Sequence, residues 1–279
     1  EKAIKRYFPI FVLPTMIAFT LGFIIPFAEG VYLSFCKFTT VNDAKFIGLS
    51  NYGKVFKDST FVHAFWYTAA FTVVSVILIN VLAFAVALLL TKGIKGTNVF
   101  RTVFFMPNLI GGIVLGYIWQ LLLNGILMKF SRTLTYSSTF GFWGLVILMC
   151  WQQIGYMMII YIAGIQNIPG ELIEAAEIDG ATKRQVLKSV TIPMVMPSIT
   201  VCTFLTLTNS FKLFDQNLAL TAGEPSNSSQ MLALNIYETF YTRTGWEGAG
   251  QAKAVVFFII VAVIAMLQNR LTRSKEVQQ

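Results

Sequence analysis

The chain has 279 residues, 56% hydrophobic and only 12% charged, with a formal net charge of +8 and a mean hydropathy of +0.67. Soluble domains carry roughly 25% charged residues, and a water-facing globule of this size has no interior large enough for so much hydrocarbon. A soluble fold is excluded, and so is a nucleic-acid surface, because the basic residues gather at the ends of apolar runs and form no basic face.

A spanning helix needs roughly 20 apolar residues to cross about 30 Å of hydrocarbon. Six stretches meet that length: Phe8–Phe35, Phe65–Leu90, Val99–Leu123, Phe142–Ile165, Met194–Leu213 and Ala252–Leu271. None alternates with period two over about ten residues, so the expectation is an all-α polytopic bundle and not a β-barrel. The first stretch is too long for a signal-peptide core and lacks a small-residue cleavage site, so it reads as an uncleaved anchor. The start at Glu1 without Met points to a short missing N-terminal piece. Pro14, Pro26 and Pro107 lie in or beside spans, where neighbouring helices re-satisfy the freed carbonyls. With both termini inside, twelve Lys and Arg fall on cytoplasmic segments, among them Lys2, Lys5, Arg6 and Lys275. Nine, including Lys212 and Lys253, fall on longer external segments. The positive density therefore favours N-in and C-in. Three cysteines make no disulfide framework, and Cys150 and Cys202 read as small apolar fillers.

The chain reads as one transmembrane domain over residues 1–279, with external loops at 37–64 and 214–251. The connection at 167–190 is neither apolar enough to span nor slack. Asn167 is its expected N-cap, Pro169 suits a first turn, and Glu171 and Glu174 complement a helix N-terminus. Gly180 permits a break, Thr182 caps a second short helix with Lys183, Arg184 and Lys188, and Pro193 ends it. Either this pair merely caps the bundle, or it is a docking element for a soluble partner.

Polar groups inside a bilayer find partners or line a cavity. The fourth span carries Gln152, Gln153 and Tyr156; the fifth carries Thr206, Asn209 and Ser210 at i, i+3, i+4, on one face. Amides and hydroxyls both donate and accept, which suits a neutral polyhydroxylated solute. The other reading is interhelical hydrogen bonding, which is also the reading for Asn80. Tyr117, Trp119 and Gln120 of the third span offer either an aromatic platform or interfacial anchors. Lys212 and Asp215 form an ion pair or a gate contact. His63, the only histidine, has no cysteine or acidic cluster beside it and makes no metal site.

Glu174-Ala175-Ala176, then Gly180, then Val190-x-Ile192-Pro193 resembles the EAA loop of bacterial ABC importer permeases. The resemblance extends to Gly48–Tyr52, Lys95–Pro107 and Leu220–Pro225, and so covers nearly the whole chain. Together these stretches look like the first of two permease subunits in carbohydrate importers of the maltose and multiple-sugar type, in their compact six-span form. Glu224 departs from the family's usual Gly, and the external stretch Lys129–Gly141 is short. The resemblance implies the type I ABC importer permease fold in a bacterial cytoplasmic membrane. It implies a homologous second permease, two ATPases that carry ATP and Mg, and an extracytoplasmic solute-binding protein. It assigns ATPase coupling to Glu174, Ala175, Ala176, Asp179 and Gly180. It favours substrate lining for Gln152, Gln153, Tyr156, Thr206, Asn209 and Ser210, and makes Leu213 an apolar member of that set. The chain has no Gly-x4-Gly-Lys-Ser/Thr loop, so no cofactor and no enzyme activity are expected of it. A permease for a glycerol-phosphate-type polyol is the alternative within the class. An ion-coupled transporter is disfavoured because the middles of the spans lack Asp, Glu, Lys and Arg.

Overall fold

A computed structural model describes residues 2–273 of the chain. Lys275 lies outside the described residues, as do the side chains of Lys2, Lys5, Arg6 and Arg273. Apolar runs become helices because a bilayer offers backbone groups no partner but one another. In chain order these are α1 (Lys2–Phe19), a π-turn (Thr20–Ile24) and α2 (Ile25–Leu33). A two-stranded hairpin follows, β1 (Cys36–Lys37) and β2 (Lys45–Phe46), then α3 (Ser50–Lys57), α4 (Ser59–Leu90), α5 (Thr97–Phe105) and α6 (Gly112–Leu127). The remainder is α7 (Ser138–Gln166), α8 (Gly170–Ile178), α9 (Lys183–Val186), α10 (Ile192–Met194), α11 (Met196–Phe211), α12 (Asp215–Leu220), α13 (Leu232–Tyr241) and α14 (Glu247–Arg273). Among the described residues, five helical stretches are long and apolar enough to cross a membrane, and a sixth span exists if the pair Lys183–Met194 and Met196–Phe211, bent by 68°, counts as one.

Several expected boundaries are corrected. The stretch Val99–Leu123 is not one helix: a 3₁₀ turn at Met106–Leu109 and extended backbone at Ile110 and Gly111 part α5 from α6. Pro107 brings no N–H to the helical ladder, and the adjoining Gly111-Gly112 pair has poor helix propensity. Asn167 caps the end of α7, while Pro169 occupies the N-cap of α8. Pro193 does not end the second short helix. A π-turn at Leu187–Thr191 runs into α10, and the break falls at Val195, where φ is −86° and ψ is 0°.

The chain divides into two compact units. The first comprises residues 1–61 and 236–259. There β1 pairs antiparallel with β2, Cys36 opposite Phe46. The buried Asn51 amide donates to the carbonyls of Ser34 (2.9 Å) and Cys36 (2.8 Å), closing the end of the hairpin onto α3. A Cβ on Gly248 would strike the Cys36 carbonyl, so this glycine lets α14 lie against the strand. Lys253, expected as an external charge, is fully buried near the start of α14. Its ammonium donates to Asp58 Oδ2 (2.8 Å) and Thr239 Oγ1 (2.7 Å) and sits 5.2 Å from the Phe61 ring centroid. Arg243 approaches the same carboxylate at 3.3 Å.

The second unit comprises residues 62–235 and 260–279, and α7 is its central helix, with about three-fifths of its most apolar window buried. Glycines set the approach distances. Gly155 faces the Phe104 carbonyl at the end of α5, and Gly164 faces Ser198 of α11. A polar relay joins three helices: Tyr161 Oη donates to Asn80 Oδ1 (2.7 Å), and Asn80 Nδ2 donates to Thr206 Oγ1 (3.3 Å). Asn80 therefore binds helices together, in line with its reading as interhelical hydrogen bonding.

Breaking one partner of a buried ion pair costs about 3 kcal/mol, whereas removing both costs far less. Asp58→Asn is accordingly expected to lower the unfolding stability of the detergent-solubilised protein by about that amount, and Asp58→Asn with Lys253→Met to recover most of it. Equal losses in the single and double variants would show that the pair is not coupled. Burial alone would raise the Asp58 carboxyl, but hydrogen bonds from Lys253 and Thr60 outweigh it and hold the group at about 2. Its contribution is therefore full above the unfolded value of 3.8 and is lost as pH falls through about 2.

Candidate functional site

Two surfaces of the second unit carry the candidate residues. The first is a cavity of about 230 Å³ walled by α7, α11 and α12. Met149 and Gln153 come from α7, and Asn209, Lys212, Leu213 and Gln216 from α11 and the segment after it. Asn209 Nδ2 donates to Gln153 Oε1 at 3.5 Å, so the two expected amides meet across the cavity. Beside them Gln216 Nε2 donates to Gln152 Oε1 at 2.9 Å, and Gln152 Nε2 donates to the Ile110 carbonyl at 3.4 Å. Gln152 thus covers the backbone exposed by the break before α6.

The other expected lining residues are placed elsewhere. Thr206 is fully buried, donates to the Cys202 carbonyl at 2.6 Å and receives Asn80. Ser210 is fully buried as well. Adjacent positions on a helix are about 100° apart, so a cavity that receives Asn209 leaves Ser210 facing the packed side. Tyr156 lies against Phe105 of α5, ring centroids 6.3 Å apart, and does not line the cavity. Tyr117 is exposed, Trp119 packs edge-on against Trp151, and Gln120 donates to the Leu220 carbonyl. None of these three reaches the cavity.

The expectation of an uncharged cavity is corrected by Lys212, which is exposed and lines it. Among the described residues it forms no ion pair with Asp215. Met149 and Gln216 were not expected at the site. The spacing Asn209, Leu213, Gln216 (i, i+4, i+7) would have found Gln216, because it continues one helical row past the end of the apolar run. His63 Nε2 lies 3.0 Å from the Ser228 carbonyl and ties α4 to the loop before α13.

The second surface is the α8–α9 pair. Its turn explains the spacing of the sequence motif. The Ala181 N–H donates to the Ala176 carbonyl (2.9 Å) and the Gly180 N–H to the Glu177 carbonyl (3.0 Å). This is a Schellman cap, with Ala176 three residues before the helix ends and Gly180 just past it. Gly180 has φ +80°, a left-handed conformation that costs other L-residues roughly 1–2 kcal/mol. Thr182 then starts α9 with a capping box: its N–H donates to Gln185 Oε1 (2.8 Å) and its hydroxyl receives the Gln185 N–H (3.4 Å). Glu174 and Ala175 are exposed, and Ile178 is 85% exposed on the same short helix. Beside the turn, Ala176, Asp179 and Gly180 border a concavity of about 320 Å³.

Known proteins resemble this chain along its length. The family model described as binding-protein-dependent transport system inner membrane component matches residues 80–277. The probable starch degradation products transport system permease protein AmyD of Thermoanaerobacterium thermosulfurigenes is 44% identical over 278 residues, covering 96% of this chain and 94% of that protein. The multiple sugar-binding transport system permease protein MsmF of Streptococcus mutans is 30% identical over 288 residues, covering 99% of both. Among solved structures, a chain of a bacterial ABC transporter involved in the import of the acidic polysaccharide alginate superposes with a TM-score of 0.82 at 20% identity, over 98% of each chain, and shares the fold.

Gly180→Ala is expected to destabilise the α8–α9 turn by about 1 kcal/mol, and Gly180→Asn by less, since Asn tolerates the left-handed region. Faster hydrogen exchange of the α8 amides in the alanine variant reads this out. Equal exchange in both variants would mean that the backbone conformation is not what Gly180 supplies.

Proposed function

The chain belongs to the family of inner membrane components of binding-protein-dependent transport systems, and we propose from that premise that it is the permease subunit that carries a sugar or oligosaccharide through an ATP-driven importer. It is a transport subunit and not an enzyme. Its relatives' names concern sugars, and its cavity chemistry suits them: amides from two helices meet where a polyhydroxylated solute needs both donors and acceptors. The observation that carries the reading is the convergence of Gln153 and Asn209 on one cavity. They lie on α7 and α11, the two helices that flank the α8–α9 pair, so one chain segment joins the outer surface to the solute path.

The energy enters from partner ATPases that hold ATP and Mg. In this reading they dock on the exposed face of α8, with Glu174, Ala175 and Ile178 at the contact and Asp179 and Gly180 at its edge. The arm Lys183–Met194 then transmits their closure through the bend at Val195 to α11. A second permease completes the path, and an extracytoplasmic binding protein delivers the solute. The membrane is the bacterial cytoplasmic membrane, with both termini inside, and the single domain spans the chain. A second reading rests on Lys212: an ammonium in the cavity favours a solute with an acidic group, such as a uronate sugar or a polyol phosphate.

In cells that express the full importer, Gln153→Leu or Asn209→Leu is expected to lower maltotriose uptake at least tenfold while ATPase subunits still co-purify. Thr206→Val is expected to reduce stability and leave substrate affinity unchanged. Normal uptake in the first two variants would sink the cavity assignment. Lys212→Met should spare maltotriose uptake under the neutral-sugar reading, and abolish uptake of an acidic sugar under the second.

Coupling makes a separate demand. Ala175→Trp is expected to remove the ATPase subunits from the purified assembly. Their retention at wild-type ratio would place the docking surface elsewhere.

A further inference from the structure

The ends of α4 and α7 and the α8–α9 segment border a partly open cavity of about 860 Å³ that shares no lining residue with the Gln153–Asn209 cavity and meets the concavity beside the Gly180 turn only at Val186. Each bounding element contributes an aliphatic side chain: Leu88 from α4, Ile165 from α7, Ile173 from α8 and Leu187 just past α9. Polar groups share the lining, and the charged ones are unbalanced. Lys92, Lys183 and Arg184 stand against one carboxylate, Glu177. Among the described residues none of the three cations forms an ion pair.

A purely polar solute would leave the aliphatic wall wet, and a purely apolar one would leave the excess of cations over Glu177 unmatched. An amphiphile with an anionic head satisfies both walls. Basic pockets between spanning helices suit acidic lipid headgroups for this reason. We propose that this cavity seats an anionic phospholipid, its phosphodiester held by Lys92, Lys183 and Arg184 and the first methylenes of its chains against Leu88, Ile165 and Ile173. Arg184 supplies the planar fork that matches phosphate oxygens, and the two lysines supply point charges. A lipid bound there bridges α4 to α8 and α9. It would hold the short helices at a fixed distance from the bundle they sit beneath.

The test uses the purified importer assembly in mild detergent, incubated with equal amounts of phosphatidylglycerol and phosphatidylcholine and read by native mass spectrometry. Retention of phosphatidylglycerol at least fivefold over phosphatidylcholine is expected. Lys92→Gln with Arg184→Gln, and separately Leu88→Trp, are expected to lower that retention at least fivefold with the ATPases still present. Equal retention of the two lipids, or unchanged retention in both variants, overturns the proposal. Displacement of phosphatidylglycerol by millimolar glycerol phosphate also overturns it, in favour of a free phosphoester. Loss of the ATPases with lipid retention unchanged assigns the cations to a protein interface and overturns it as well. Should the charge variant fail to assemble, Leu88→Trp decides, because it fills the cavity and alters no charge.

Discussion

The second unit depends on how closely other chain segments approach α7. A Cβ at Gly155 would overlap the Phe104 carbonyl, and one at Gly164 would overlap the Ser198 side chain. The end of α5 therefore rests on backbone and not on a side chain, and the break that follows it is laid directly over α7. A broken helix in a bilayer needs its freed carbonyls covered by protein. Gln152 covers that of Ile110 and is itself oriented by Gln216. Two glutamines that look like substrate ligands in a linear reading thus divide their work: Gln152 is committed to holding the break, and Gln153, one position on, faces the cavity.

The same economy of position governs α11. Its middle is fixed to α4 and α7 through Thr206, Asn80 and Tyr161, one end is bent, and the other stops short of α12. At one end the backbone turns by 68° around Val195 into the arm that reaches Lys183. At the other, the helix stops at Phe211, and Lys212 and Leu213 turn toward α12. The arm and Asn209 thus lie on either side of the point where α11 is pinned to α4 and α7. The Thr206 hydroxyl lies on the packed side, and the Asn209 amide beyond it lines the cavity.

Charge in this protein is scarce, and its surroundings differ between the two units. In the first unit the Lys253 ammonium is matched by Asp58 and Thr239 within hydrogen-bonding distance. In the second, three cations surround a cavity with one carboxylate. The difference separates a structural staple, whose charges close on themselves, from a surface that asks for an anion.

The all-α membrane class, the helical stretches around five of the six expected spans and the capped α8–α9 pair were legible in the sequence, because each follows from length, apolarity or local turn chemistry. Gly180 and Thr182 act locally, and they sit where their residue types require. Three features were not legible. The split at Met106–Gly111 hides in an apolar run, because hydropathy does not register a missing donor. The burial of Lys253 depends on Thr239 on another helix and on Asp58, 195 residues away along the chain. The separation of Asn209 from Thr206 and Ser210 depends on which side of α11 meets α4 and which meets the cavity. Spacing alone determined that these three residues share one broad helical face. Only tertiary packing decided which of them faces the cavity, because a hydroxyl and an amide look equally suited to either task until a neighbour takes one of them.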